Sequence, residues 1–109
     1  MDRIPDDAII VRGGQNRTED IQRGTGTHPS GVNGISVECG VGLSVTELAA
    51  MIPHRQVGVT TVGKVRKMGG NVIRTSGRSP NHATLTDLTP EKISSLLTPT
   101  IANPSQQSL

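Results

Sequence analysis

The chain of 109 residues carries a formal net charge of +2, and 32% of its residues are hydrophobic although none is Phe, Tyr or Trp. This length fits one domain, and the missing aromatic rings exclude stacking of such rings on a nucleic-acid base or a nicotinamide. The core must consist of Val, Ile, Leu, Met and Ala, and since so small an aliphatic core is marginally stable, we expect a weakly stable monomer or a fold completed by a protein partner or a homo-oligomer.

The first half of the chain predicts two strands and two helices. In chain order they are the strand DAIIVRGG (7–14), the helix TEDIQRG (18–24), the strand ISVEC (35–39) and the helix SVTELAAMI (44–52). Apolar runs and alternation indicate the strands. The helices are indicated by their first residues, with Thr18 as the cap of one and the S-x-x-E pair of Ser44 and Glu47 at the start of the other.

The second half predicts three strands, two helices and a tail. In chain order they are the strand QVGVT (56–60), the helix TVGKVRKMGG (61–70), the strands NVIRT (71–75) and HATLT (82–86), and the helix TPEKISSLL (89–97). Thr60 or Thr61 caps the first of these helices, and Thr89 caps the second with Pro90 in its first turn. We therefore predict a single α+β domain over residues 1–97, with about five short strands and three to four short helices, and an extended or disordered tail over residues 98–109.

Three features bear on the cellular compartment. The single cysteine, Cys39, excludes an internal disulfide framework. The first residues include Asp6 and Asp7 and lack the apolar segment of a secretory signal, and no apolar run approaches the ~18 residues that cross a membrane. We expect a cytoplasmic protein of bacterial type that has no membrane contact.

The charges are distributed unevenly along the sequence. Between Glu47 and Asp87 there is no acidic residue. The same interval contains six of the basic residues: Arg55, Lys64, Arg66, Lys67, Arg74 and Arg78. Such a segment attracts phosphate, a dinucleotide, nucleic acid or an acidic partner protein. A solvated basic face without a ligand is the alternative.

The stretch GVTTVGKV (58–65) differs by one residue from a phosphate-binding P-loop, because Val65 stands where that motif has Ser or Thr. In a P-loop the glycines lie in the turn between a strand and a helix. Here Gly58 falls inside a predicted strand and Gly63 inside a predicted helix. We therefore interpret the stretch as structural.

Candidate metal ligands and nucleophiles are scattered singly over separate elements. They are His28, Cys39, His54 and His82. None belongs to a C-x-x-C or H-x-x-x-H pair, so we expect no metal site. Cys39 closes a strand and could act as a nucleophile beside a histidine, although a lone cysteine is more often a small buried hydrophobic residue.

Two polar residues at the ends of predicted strands are the best candidates for a site. Arg12 lies at the end of the first strand, where it can bind a phosphate through two hydrogen bonds while Gly13 lets the ligand approach the backbone. His82 begins a later strand and can act as an acid, a base or a hydrogen-bond donor. The alternative is that Arg12 forms a salt bridge with Glu38 on a neighbouring strand and that His82 packs a turn.

The strand IIVRGG (9–14), the helix after it and the strand GISVEC (34–39), which begins Gly-x-Ser, resemble the first half of small bacterial ADP-ribosyltransferase-type toxins. The resemblance implies that Arg12 holds the phosphates of NAD and that Ser36 supports the ribose pocket. It also implies a catalytic or substrate-orienting role for His82. A degenerate or partner-binding relative of these toxins is the alternative.

Two later segments, RQVGVTTVGKVRKMGG (55–70) and SPNHATLTDLTPEK (79–92), resemble small uncharacterised bacterial proteins, which imply no activity. We expect a small bacterial protein of a toxin–antitoxin type that binds a phosphate-bearing ligand, with NAD as the candidate cofactor. One alternative is a non-enzymatic binding module, either an antitoxin-like partner protein or a nucleic-acid-binding domain that uses residues 55–78. Another is a purely structural or oligomeric domain, in which Arg12 and His82 would be buried and paired. The residues are compatible with an enzyme and with a binding protein.

Overall fold

Seven strands form the sheet, and its six pairings are antiparallel. The computed structural model describes residues 3–106. Within them the strands are Ile9–Gly13 (β1), Gly26–Thr27 (β2), Asn33–Gly40 (β3), Gln56–Thr61 (β4), Asn71–Arg74 (β5), His82–Thr86 (β6) and Ile101–Ala102 (β7). The order across the sheet is β5-β6-β3-β1-β4-β7, and β2 pairs with β3 beside this path. The two strands closest to the middle are therefore β3 and β1.

Within residues 3–106, four α-helices and one 3₁₀ turn connect and cover the strands. They are Thr18–Gly24 (α1), Val45–Ala49 (α2), Val62–Lys67 (α3), Pro90–Leu97 (α4) and the 3₁₀ turn Pro104–Gln106 (η1). None of these helices has the length and apolar character needed to cross a membrane. The predicted α+β class is confirmed, while the number of strands exceeds the five predicted because the two-residue strands β2 and β7 carry no periodic pattern.

Most helix starts agree with the sequence. The Ser44 hydroxyl accepts a hydrogen bond from the Glu47 N–H at 3.1 Å, which confirms the predicted capping box. Thr61 caps α3, and Thr89 caps α4. The prediction for α1 is wrong by one residue, since Thr18 is its first helical residue and the N-cap lies immediately before it.

The stretch GVTTVGKV is a direct junction of a strand and a helix. Gly58 lies inside β4 and Gly63 inside α3, as predicted. A side chain at Gly58 would overlap the Leu97 carbonyl oxygen of α4, so this glycine allows the helix to pack closely on the strand. No separate phosphate loop lies between the two elements, and the Lys64 side chain is exposed.

The sheet is covered unequally on its two faces. On one face the larger core packs the buried side chains of the central strands against α1, α3 and α4, with Ile21, Val65 and Leu97 fully buried. On the other face a smaller cluster joins Val11 to Leu48 of the short helix α2. Because α2 has only five residues, it leaves part of this second face open beside β3 and β6.

Residues 98–106, which the sequence assigns to an extended or disordered tail, form β7 and η1. Ile101 pairs with Val57, which adds an edge strand to β4. Asn103 is 2% exposed. This segment is therefore packed on the domain as far as residue 106.

Candidate functional site

A groove of about 430 Å³ opens on the sheet face that carries α2. Pockets for small ligands commonly have volumes of about 300–1,000 Å³, so the groove has the capacity for a nucleotide-sized molecule. Its floor consists of residues from β1 and β3: Val11, Gly13, Ser36 and Glu38. Residues 51–54, which follow α2, form one wall, and residues 77–79 with His82 form the other.

His82 is held in one orientation by its neighbours in the segment that follows β5. Its Nδ1 lies 2.9 Å from Thr75 Oγ1 and 3.3 Å from the Thr75 carbonyl oxygen. Since a carbonyl oxygen only accepts hydrogen bonds, the contact with the Thr75 carbonyl favours the tautomer in which Nδ1 carries the proton and Nε2 presents the lone pair. A Cβ built on Gly77 would lie 2.5 Å from His82 Cγ, which means that the glycine lets the turn close over the ring.

Glu38 and His82 are directly opposite each other on β3 and β6. Their Cβ atoms are therefore about 5 Å apart, as in any antiparallel pair. No carboxylate oxygen of Glu38 lies within 4.0 Å of a His82 ring nitrogen, since neither residue takes part in an ion pair among residues 3–106. The groove thus contains a carboxylate and an imidazole that are close neighbours without neutralising each other.

Arg12 borders the groove, but its guanidinium lies on the other side of the sheet. Nη1 donates to Asn16 Oδ1 at 2.8 Å, and Nη2 packs so closely beneath Gly24 that an added Cβ there would lie 2.6 Å from it. Nε is buried and has no hydrogen-bond partner within residues 3–106. Burial lowers the pKa of the Arg12 guanidinium, and the charge of Asp20 partly opposes this.

The structure therefore separates two residues that the resemblance assigned to one NAD site. Val11 pairs with Glu38 on β3, and side chains alternate between the two faces along a strand. Arg12 consequently faces α1, whereas Ser36 and Glu38 face the groove. The alternative salt bridge between Arg12 and Glu38 is absent for the same reason. The Arg12 guanidinium instead donates a hydrogen bond to Asn16.

The opposite wall of the groove carries a second histidine. A Cβ on Gly13 would lie 2.5 Å from His54 Cδ2 and equally close to Ile52 Cγ2, so the glycine on β1 allows this wall to approach the sheet. His54 is exposed and lines the groove. Gly13, Ser36 and His82, which the sequence assigned to the site, thus lie in the same groove.

Residues in and near η1 form hydrogen bonds with the backbone of this wall. The Asn103 side-chain amide donates to the Ile52 carbonyl at 3.1 Å and to the His54 carbonyl at 2.9 Å. The Asn103 backbone N–H donates to the Arg55 carbonyl at 2.7 Å, and the Gln106 amide donates to Ile52 at 3.0 Å. Four hydrogen bonds therefore fix the backbone of the histidine-bearing wall.

The six basic residues of the acid-free interval are distributed over several surfaces. Only Arg78 among them lines the groove. Arg66 pairs with Asp6 at 2.5 Å, and Arg74 donates to the Cys39 carbonyl at 2.7 Å. The remaining three are exposed outside the groove: Arg55, Lys64 and Lys67.

The other reactive side chains do not form a second centre. Cys39 is fully buried, and burial raises the pKa of its thiol. His28 Nε2 lies 2.7 Å from the Ser76 carbonyl oxygen, and its ring centre is 5.7 Å from that of His82. Within residues 3–106 no group of three or more His, Cys, Asp or Glu side chains is arranged to hold a metal ion.

Sequence reasoning missed two groove residues, Glu38 and His54. Glu38 had a detectable signal, because it follows Ser36 by two positions and must share its face of the strand. No sequence signal indicated His54, because its location in the groove depends on the close approach of its segment to Gly13. Comparisons with models of known protein families, with curated proteins and with solved structures find no match, so the resemblance to ADP-ribosyltransferase-type toxins stays a prediction.

Proposed function

We propose that the protein binds a phosphate-bearing ligand in the groove. The observation that carries this proposal is the presence of Arg78, His54 and His82 around one nucleotide-sized groove, from two opposite walls. An arginine can donate two parallel hydrogen bonds to a phosphate. The two imidazoles can donate to the remaining oxygens when they are protonated.

The floor favours a ligand that carries hydroxyl groups as well as phosphate. Glu38 accepts hydrogen bonds but repels an anion, so it suits a ribose hydroxyl better than a phosphate oxygen. The exposed Ser36 lies two positions before it on the same face and can also bond a hydroxyl. Phosphate donors on the walls and a carboxylate on the floor together suit a nucleotide.

NAD is one ligand of this class, as the resemblance to ADP-ribosyltransferase-type toxins implies. Because Asn16 holds the Arg12 guanidinium on the other side of the sheet, we propose Arg78 as the phosphate-binding residue in its place. Ser36 keeps its proposed position beside the ribose. No aromatic side chain is available to stack on nicotinamide, so the ribose and phosphate parts provide the contacts.

Isothermal titration calorimetry tests the proposal with ADP-ribose, NAD, a 3′-nucleoside monophosphate and inorganic phosphate as probes. We expect at least one nucleotide to bind and Arg78→Ala to raise its Kd at least about tenfold, since a hydrogen bond to a charged group contributes about 1.5–3 kcal/mol. Arg55→Ala is the control, because it removes the same charge from an exposed residue outside the groove. Absence of binding by all four probes would overturn the proposal.

A further inference from the structure

Extending the proposed function, on which this inference rests, we propose that the phosphate-bearing ligand is RNA and that Glu38 and His82 cleave it by acid–base catalysis. The observation behind it is the cross-strand pair of these two residues in the groove. One of them accepts protons as a carboxylate, and the other donates a proton as an imidazolium. Such a pair serves a reaction in which one oxygen loses a proton while another gains one.

The two groups of the pair do not form an ion pair with each other. Glu38 and His82 occupy facing positions of β3 and β6, yet no oxygen–nitrogen distance between them is 4.0 Å or less. Two groups in direct contact would satisfy each other. Because the two groups are not in contact, both remain available to a phosphodiester that enters the groove.

His82 has one nitrogen free for proton transfer. Its Nδ1 contacts the Thr75 carbonyl and hydroxyl oxygens, and a ring with the proton on Nδ1 keeps these contacts when Nε2 gains or loses a proton. Nε2 therefore exchanges the proton. Gly77 covers the ring at close range, so the imidazole is positioned before substrate arrives, as an efficient acid requires.

RNA matches the pair because both oxygens flank one phosphodiester, the 2′-hydroxyl on the nucleotide before it and O5′ on the nucleotide after it. Glu38 accepts the proton of the 2′-hydroxyl, and O2′ forms a bond to phosphorus while the bond between phosphorus and O5′ breaks. His82 Nε2 delivers its proton to O5′. The products are a 2′,3′-cyclic phosphate and a 5′-hydroxyl, and proton exchange with water restores both side chains without any further reactant.

The two remaining hydrogen-bond donors on the groove walls have a role in the same step. Arg78 and His54 can donate to the non-bridging phosphate oxygens, on which negative charge accumulates as the new bond forms. With no aromatic side chain for base stacking, the contacts fall on phosphate and ribose. We therefore expect little preference for base sequence.

The test uses the full chain and a 5′-fluorescent oligoribonucleotide in buffer that contains EDTA. We expect cleavage that leaves a 2′,3′-cyclic phosphate, identified by mass spectrometry, and no cleavage of the all-deoxy or 2′-O-methyl oligonucleotide of the same sequence. Glu38→Gln and His82→Asn should each lower the rate constant by about 10²–10⁴-fold. Glu91→Gln, an equivalent change on the exposed side of α4, should retain the original rate.

His82→Asn keeps a donor near Thr75, and Glu38→Gln keeps the shape of the side chain, so at least one variant should fold, as thermal melting will show. Cleavage of the deoxy oligonucleotide, or an unchanged rate in Glu38→Gln, would overturn the mechanism. If the protein binds nucleotides but leaves RNA intact, this inference fails and the proposed function stands. If it neither binds the four phosphate probes nor cleaves RNA, both fail.

Discussion

At the scale of single residues, two glycines determine where the groove histidines lie. Gly13 admits His54 against β1, and Gly77 admits the turn against the ring of His82. In both cases a Cβ would come within 2.5 Å of the ring, closer than atoms that are not bonded approach. The absence of a side chain at each position is therefore part of the site.

We predict that Gly77→Ala displaces the His82 ring and lowers the free energy of unfolding by about 1–3 kcal/mol, the usual cost of overpacking. Chemical denaturation measures the stability, and the ¹H–¹³C NMR signals of His82 report the ring. Gly26→Ala is the matched control, because no atom lies within 4 Å of its added methyl. Equal effects of the two substitutions would contradict this role of Gly77.

Arg12 shows why a residue's side-chain direction is difficult to read from sequence. The predicted position of Arg12 near the end of a strand is correct. Its side chain, however, follows the alternation of β1 and donates a hydrogen bond to Asn16 on the other face of the sheet. Asn16 has a positive φ of 56°, a conformation that asparagine tolerates better than most residues. The hydrogen bond between Arg12 and Asn16 thus depends on the turn after β1, which the sequence pattern does not describe.

At the scale of elements, the start of α2 depends on the reciprocal bonds of Ser44 and Glu47. The Ser44 N–H donates to Glu47 Oε1 at 3.0 Å, and this bond lowers the pKa of Glu47. A carboxyl group with a lowered folded pKa stabilises the protein above its unfolded pKa of about 4.3 and loses this contribution as the pH falls through the folded value.

We therefore predict that Glu47→Ala destabilises the protein at pH 7 and that the difference from the original chain decreases as the pH falls from 5 to 3. Denaturation curves at a series of pH values provide the measurement. Thr46→Ala, on the exposed neighbour, should change stability by an amount that does not depend on pH. A Glu47→Ala effect that is constant across the series would show that the capping carboxylate is not the cause.

The elements that sequence reasoning predicted are those with local signals. The caps Ser44, Thr61 and Thr89 are each identified within four residues. The strands β2 and β7 were missed because two residues carry no period, and they exist only through pairing with Gly34 and Val57. Register, which brings Glu38 opposite His82, depends on distant strands and could not be predicted either.

At the scale of the whole molecule, the reactivity of Cys39 reports whether the aliphatic core is closed to solvent. The thiol is 0% exposed, and burial raises its pKa. The folded state thus favours the neutral thiol, and its contribution to stability is complete below the unfolded pKa of about 8.5 and is lost as the pH rises through the folded value.

We predict that Cys39 reacts with a disulfide reagent such as dithionitrobenzoate only when the domain opens. The reaction rate at neutral pH should rise with urea in parallel with the unfolded fraction measured by circular dichroism. Because the core lacks aromatic residues, we expect unfolding at modest urea concentrations. Fast reaction without denaturant, at the rate of a free thiol, would contradict the burial of Cys39.

Asn103 connects two distant parts of the chain in a way that affects affinity. Its amide and backbone bonds hold the wall that carries His54, so a ligand that needs this wall in place also favours the docked form of residues 101–106. By thermodynamic reciprocity, a change that detaches this segment lowers the affinity for the ligand. The factor equals the one by which the ligand favours the docked form. Detachment of residues 101–106 would therefore weaken binding without removing any side chain that lines the groove.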